Sequence, residues 1–148
     1  MMPTRTARTA WTGGLQDGSG QVELVSSGVG KYEVSFPKRS AEEAGGTTSP
    51  EELIAGAHAS CYAMALSNEI AQAGGTPESL DVSAAVTLGP DPAGGFRISR
   101  IALTVRGRVS GLDNAAFTTA AAAAKSGCPV SKALAGVDEI TLDAALES

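Results

Sequence analysis

Basic charge, aromatic side chains, cysteine and long apolar runs are all scarce in this sequence, and each scarcity removes a class of function. Eleven Lys and Arg against sixteen Asp and Glu leave a net charge of −5. No basic footprint exists to hold phosphates, so nucleic acid is not an expected partner. The longest apolar run, Leu53 to Leu66, is 14 residues and contains His58 and Ser60. That is too short to span a bilayer and reads as a buried helix. The opening segment, residues 1 to 8, carries charge with no apolar stretch behind it, unlike a secretory signal. The cytoplasm is therefore the expected location, with no membrane partner. Aromatic residues make up only 4% of the chain, so a core has to be built from aliphatic and small side chains.

The two cysteines, Cys61 and Cys128, are too few for a disulfide scaffold. Their separation fits neither a C-x-x-C redox motif nor a zinc knuckle. A zinc site from Cys61, Cys128 and His58 would lack a fourth ligand. What remains open is whether the fold brings the two sulfurs together.

What is present is a chain whose length suits one domain, residues 1–148, with 43% hydrophobic residues. Three β-like stretches, at about 7 to 12, 20 to 26 and 31 to 36, are separated by the turn signals Gly13-Gly14 and Ser27-Gly28 and predict an antiparallel meander. Residues 37 to 48 are polar and Gly-rich and predict a loop. Ser49-Pro50-Glu51-Glu52 has the S-x-x-E pattern of a helix start, and the helix should continue through Cys61 to about Ala73 and stop at Gly74-Gly75. Alternation in Val82, Ala84, Val86 and Leu88, and again in Ile101, Leu103 and Val105, predicts two strands, the second from about Phe96 to Val109. Asp113 can cap a helix to Lys125, Pro129 can start a short one to about Leu134, and Ile140 to Leu146 alternates as a last strand. The order βββ-α-ββ-αα-β describes an α+β fold without internal repeats.

Local physics ranks the two cysteines. Cys61 sits in His58-Ala59-Ser60-Cys61-Tyr62, about 16 Å beyond the helix start at ~1.5 Å per residue, where the helix dipole no longer acts. A thiol among alanines there is desolvated and inert unless a cation is brought to it. Cys128 precedes Pro129 at a helix N-terminus, where free N–H groups favour a thiolate, and Lys125 is near in sequence. His58, three residues before Cys61, shares its helix face and is either a proton-transfer partner or a hydrogen-bonded core residue. Glu51 and Glu52 read as helix-start residues, and Arg39 as a loop charge.

Two strings nevertheless go together. Thr48-Ser49-Pro50-Glu51-Glu52-Leu53-Ile54-Ala55-Gly56-Ala57-His58-Ala59-Ser60-Cys61 and Ala124-Lys125-Ser126-Gly127-Cys128-Pro129-Val130-Ser131 resemble the OsmC branch of the OsmC/Ohr superfamily, osmotically inducible protein C and organic hydroperoxide resistance proteins. The resemblance covers nearly the whole chain. It implies an intertwined homodimer in which antiparallel sheets wrap central helices, and a thiol-dependent peroxidase acting on organic hydroperoxides in oxidative or osmotic stress defence. It also implies that Cys61 is the peroxidatic cysteine and Cys128 the resolving one, reversing the ranking from local physics. Arg39 and Glu51 match the family's activating pair. No bound cofactor is implied, only an external dithiol reductant of lipoyl type. Ten helical residues separate Glu51 from Cys61, about 15 Å along the axis. If Glu51 and Arg39 serve a cysteine, it is then expected to be the partner subunit's, at a two-fold interface. The competing readings are a non-catalytic binding or structural dimer with packing cysteines, and a general thiol–disulfide oxidoreductase. The distance between the two sulfurs discriminates among them.

Overall fold

The computed structural model describes residues 1–147. The chain divides into two compact units, Met1–Pro50 and Glu51–Ser148.

The first unit is a three-stranded antiparallel meander of β1 (Arg8–Thr12), β2 (Ser19–Glu23) and β3 (Lys31–Val34), in that spatial order. Gly13 and Gly28 adopt positive φ in its two turns, as the turn signals predicted. The stretch expected to be a loop begins instead with a short helix, α1 (Phe36–Arg39). Ser35 caps it by accepting a hydrogen bond from the Lys38 N–H. Pro37 lies in its first turn, where a missing N–H costs nothing. One turn of helix is too short to leave a periodic signal in sequence, and so Arg39 was read as a loop residue.

The second unit opens with α2 (Pro50–Gln72), which starts and ends where the sequence placed it. Gly74 takes a φ of +89°. The Gly75 N–H reaches the Ile70 carbonyl at 2.9 Å and the Gly74 N–H reaches that of Ala71 at 3.1 Å, the paired bonds of a Schellman stop. Along α2, His58, Tyr62, Leu66 and Ile70 recur every four residues and are fully buried, while Met64 on another face is 73% exposed.

The sheet of this unit runs β4-β5-β6, comprising β4 (Thr76–Pro90), β5 (Phe96–Ser110) and β6 (Glu139–Leu146). β4 begins earlier than its alternation suggested, because the register shift between Pro77 and Ser79 interrupts the period; proline is tolerated there on an edge strand. β6 pairs parallel to β5, with Ile101 opposite Ile140 and Leu103 opposite Leu142. This sheet is therefore mixed, where antiparallel sheets were expected. The cause is the crossover made by α3 (Asn114–Gly127) and α4 (Pro129–Ala133), since only a long connection can return the chain to run parallel. Leu103 and Val105 of the central strand meet Tyr62, Leu66 and Ile70 of α2 and Phe117, Ala120, Ala121 and Ala124 of α3 in one core. The small alanine face of α3 is what supplies close packing with few aromatic residues. Among the described residues, no helix is long and apolar enough to cross a membrane.

Candidate active site

Cys128 owes its position to the residue after it. A residue preceding proline is pushed out of the helical region, and Cys128 adopts φ −57° and ψ 122° between α3 and α4. Its N–H still closes the last turn of α3 on the Ala124 carbonyl at 2.9 Å, while its carbonyl accepts the Lys132 N–H at 3.1 Å to start α4. It thus ends one helix and begins the next, and its side chain is fully buried. On α2, Cys61 stands one residue before buried Tyr62 and is half-buried. The Tyr62 hydroxyl donates to the Ala121 carbonyl at 3.0 Å, tying α2 to α3 near the level of the sulfurs.

The result is a sulfur pair. Cys61 Sγ and Cys128 Sγ lie 3.0 Å apart and both cysteines are free. A disulfide requires about 2.05 Å, so about 1 Å of sulfur movement separates the two forms.

The surroundings distinguish the two thiols. Burial pushes the Cys61 thiol up, and the hydrogen bond and charge of Cys128 add to the rise; the Val130 N–H opposes it only in part. At Cys128, burial also disfavours the charge, but the hydrogen bond from Cys61, the N–H groups of Ser131 and Val130 and the Ser131 hydroxyl outweigh it and bring the thiol down. No N–H closes a capping hydrogen bond of good geometry on the Cys128 sulfur. The N–H groups act as nearby dipoles, as at any helix start. Geometry alone draws the sulfur–sulfur contact with Cys128 donating to Cys61, whereas the opposite directions of the two thiols, Cys61 up and Cys128 down, favour the reverse polarity. The donors clustered on Cys128 favour negative charge there over Cys61. The charge on Cys128 is also felt by Tyr62, whose phenol is raised by burial first and by that charge second.

His58 takes the second of the two readings open to it, that of a hydrogen-bonded core residue. It shares a helix with Cys61, but its Nε2 lies 2.7 Å from Ser131 Oγ on α4, and the imidazole is fully buried. Burial lowers its pKa, so the ring is neutral. Its Nδ1 is buried without a hydrogen-bond partner. Ser131, 8% exposed, was not singled out from the sequence. Its only signal was its place in the string Gly127-Cys128-Pro129-Val130-Ser131, three residues after the cysteine at the start of a helix.

The other two predicted site residues are placed as follows. Glu51 is 7% exposed in the first turn of α2. The helix is continuous from there to Cys61, so the separation of about 15 Å along its axis stands and the two do not meet within the chain. Arg39, the last residue of α1, belongs to the first unit. There it lines a cavity of about 300 Å³ with Trp11, Leu15, Val34, Ser35, Phe36 and Pro50, apolar except for Ser35 and the guanidinium. Among the described residues, no group of three His, Cys, Asp or Glu is placed to hold a metal ion.

Residues 43–143 match the family described as OsmC-like protein. Peroxiredoxin OsmC of Escherichia coli (strain K12) is 43% identical over 138 residues, 93% of this chain and 93% of that protein. The solved organic hydroperoxide resistance protein OhrB of Bacillus subtilis is 26% identical, with a TM-score of 0.69 over 96% of this chain and 98% of that one. An organic hydroperoxide resistance protein OsmC from Legionella pneumophila gives a TM-score of 0.71 at 24% identity, over 100% of this chain and 99% of that one, a likeness of fold.

Proposed function

This chain belongs to the OsmC-like protein family, and from that membership we propose that it is a peroxiredoxin-type enzyme that reduces organic hydroperoxides to alcohols in oxidative or osmotic stress defence. The observation that carries the reading is the 3.0 Å approach of Cys61 and Cys128. Packing cysteines have no need to meet, whereas a peroxidase that resolves its own sulfenic acid does.

In the first step the Cys61 thiolate attacks the distal oxygen of R–O–O–H. The O–O bond breaks, Cys61 becomes a sulfenic acid and the alkoxide leaves as the alcohol after taking a proton. In the second step the Cys128 thiolate attacks the Cys61 sulfur, the S–O bond breaks, the Cys61–Cys128 disulfide forms and hydroxide leaves as water after taking a proton from solvent. An external dithiol of lipoyl type then returns both to thiols, and the cycle asks for no bound cofactor. Burial disfavours the Cys61 thiolate, so attack needs a cation, and Arg39 is the residue proposed to supply it, stabilising the thiolate and the departing oxygen. Glu51 orients that guanidinium. The two compact units would on this reading work as one functional domain. A homodimer fits the exposed face of α2 around Met64 and the distance between Glu51 and Cys61 of the same chain. The apolar lining around Arg39 favours a hydroperoxide with a hydrocarbon body over hydrogen peroxide.

Consumption of an organic hydroperoxide with dihydrolipoamide, compared with glutathione, tests the reading. Activity is expected in the wild type with dihydrolipoamide and to be lost in Cys61→Ser. Full activity in Cys61→Ser would defeat it.

A further inference from the structure

Behind the sulfur pair, His58 and Ser131 form a buried polar contact that the peroxidase cycle as described does not use. The tautomer of His58 follows from hydrogen-bond accounting. With the proton on Nε2, the ring donates to Ser131 Oγ at 2.7 Å and leaves only a lone pair on Nδ1 unpartnered. With the proton on Nδ1, a buried N–H donor would be orphaned, and the Ser131 hydroxyl would have to turn toward the imidazole. The first arrangement is the less costly, and it frees the Ser131 hydroxyl hydrogen. Ser131 is the third residue of α4 and Cys128 its N-cap, positions whose side chains neighbour one another at a helix start. The freed hydrogen is then available to the Cys128 sulfur, whose thiol the Ser131 hydroxyl helps to bring down.

We propose that His58 and Ser131 are positioning residues that hold a donor on Cys128, so that Cys128 is the leaving sulfur when the Cys61–Cys128 disulfide is opened and the incoming reductant is directed to Cys61. The inference rests on the disulfide cycle proposed above. In the step, the reductant thiolate attacks Cys61 Sγ, the Cys61–Cys128 bond breaks, and a mixed disulfide forms between reductant and Cys61. Cys128 departs with the electron pair as a thiolate, received by the Ser131 hydroxyl. The second thiol of the dithiol then displaces Cys61, leaving the reductant oxidised and both cysteines reduced. Thiol exchange is faster when the leaving thiol is the more acidic one, and the directions at the two cysteines agree with that order. Access agrees as well, since Cys128 is fully buried and Cys61 is not. Other titratable groups near Cys128 are Cys61 and Tyr62 on α2, and Lys125, Lys132 and Asp138 lie along the groove that Ser131 borders.

The test needs no hydroperoxide. The disulfide is made with a general thiol oxidant, opened with a monothiol, and the adduct located by mass spectrometry; separately, the Cys128 thiolate is titrated by its ultraviolet absorbance in a Cys61→Ala background. Expected results are an adduct on Cys61, opening slowed roughly tenfold in Ser131→Ala through loss of a hydrogen bond to a charged sulfur, and a Cys128 titration moved to higher pH. Ser131→Thr and His58→Gln, which keep a donor at each place, should restore both readouts, whereas His58→Leu should not. A role in packing alone would move neither the titration nor the adduct. An adduct on Cys128 in the otherwise unchanged protein, or a titration indifferent to Ser131→Ala, would overturn the proposal. If hydroperoxide turnover fails while these results hold, the peroxidase reading falls and this one stands.

Discussion

Cys61 is placed by a continuous helix and Cys128 by the interruption of one, and the two surroundings treat negative charge in opposite ways. Around Cys61 the chain offers the side chains of α2 and a burial that disfavours the thiolate. Around Cys128 the break at Pro129 exposes helix-start N–H groups and brings Ser131 beside the sulfur. The pair is therefore asymmetric before any substrate arrives, with negative charge disfavoured at Cys61 and favoured at Cys128. In the proposed cycle that suits resolution and recycling, in which Cys128 would attack and later leave. On the same proposal the first step, attack by Cys61, needs a cation to offset that burial.

The asymmetry can be broken from either side. On the α2 side, placement rests on packing, so Leu66→Ala, which empties a fully buried position in the common core, should cost about 2–5 kcal/mol by denaturant unfolding. Met64→Ala, on the exposed face, should change the unfolding of the monomer by less than about 0.5 kcal/mol. If peroxide attack by Cys61 depends on a guanidinium, Arg39→Ala should lower kcat/KM for an organic hydroperoxide by roughly 100-fold or more, the range for loss of a single transition-state donor. Arg39→Lys should recover only part of it. Opening of the disulfide by a monothiol should be unaffected in both.

The buried imidazole gives a smaller, pH-dependent effect. Its pKa is lowered from 6.5 in the fold, so as pH falls below about 6.5 the unfolded chain takes up a proton that the folded one refuses. Stability contributed by neutral His58 is complete above that pH and declines below it, by at most about 1.4 kcal/mol per pH unit. Urea unfolding at pH 7.5 and pH 5.5 should show the decline, and His58→Gln should remove this component. Smallest is the cap of α3, where the Asp113 side chain accepts the Ala116 N–H at 2.8 Å. Asp113→Ala should cost about 1 kcal/mol in the same measurement, with the Cys128 titration unchanged because the sulfur lies at the other end of the helix.

Which parts of this were legible in sequence follows from the range of the interactions involved. Proline, glycine and capping signals act within a few residues, and they located α2, the stop at Gly74 and the α3–α4 break at Pro129. Alternation located β5 and β6 but carries no direction, so the parallel pairing of the last strand was not readable from it. Helix α1 is one turn long and escaped periodicity. The sulfur pair was posed by the sequence as a question, because 67 intervening residues must fold before the distance exists. The His58 to Ser131 contact, spanning 73 residues, left no pattern at all. His58 was placed on the right helix and allowed as a hydrogen-bonded core residue, which it is, but its partner, Ser131, could not be named.

The central claim is that Cys61, the less acidic sulfur, is nonetheless the one that meets the peroxide. It is tested most directly by a single turnover of Cys128→Ser with one equivalent of an organic hydroperoxide in the presence of a sulfenic acid trap, followed by peptide mass spectrometry. The account predicts one equivalent of alcohol and the trap on Cys61. Rapid alcohol formation by Cys61→Ser with the trap on Cys128, and none by Cys128→Ser, would contradict it.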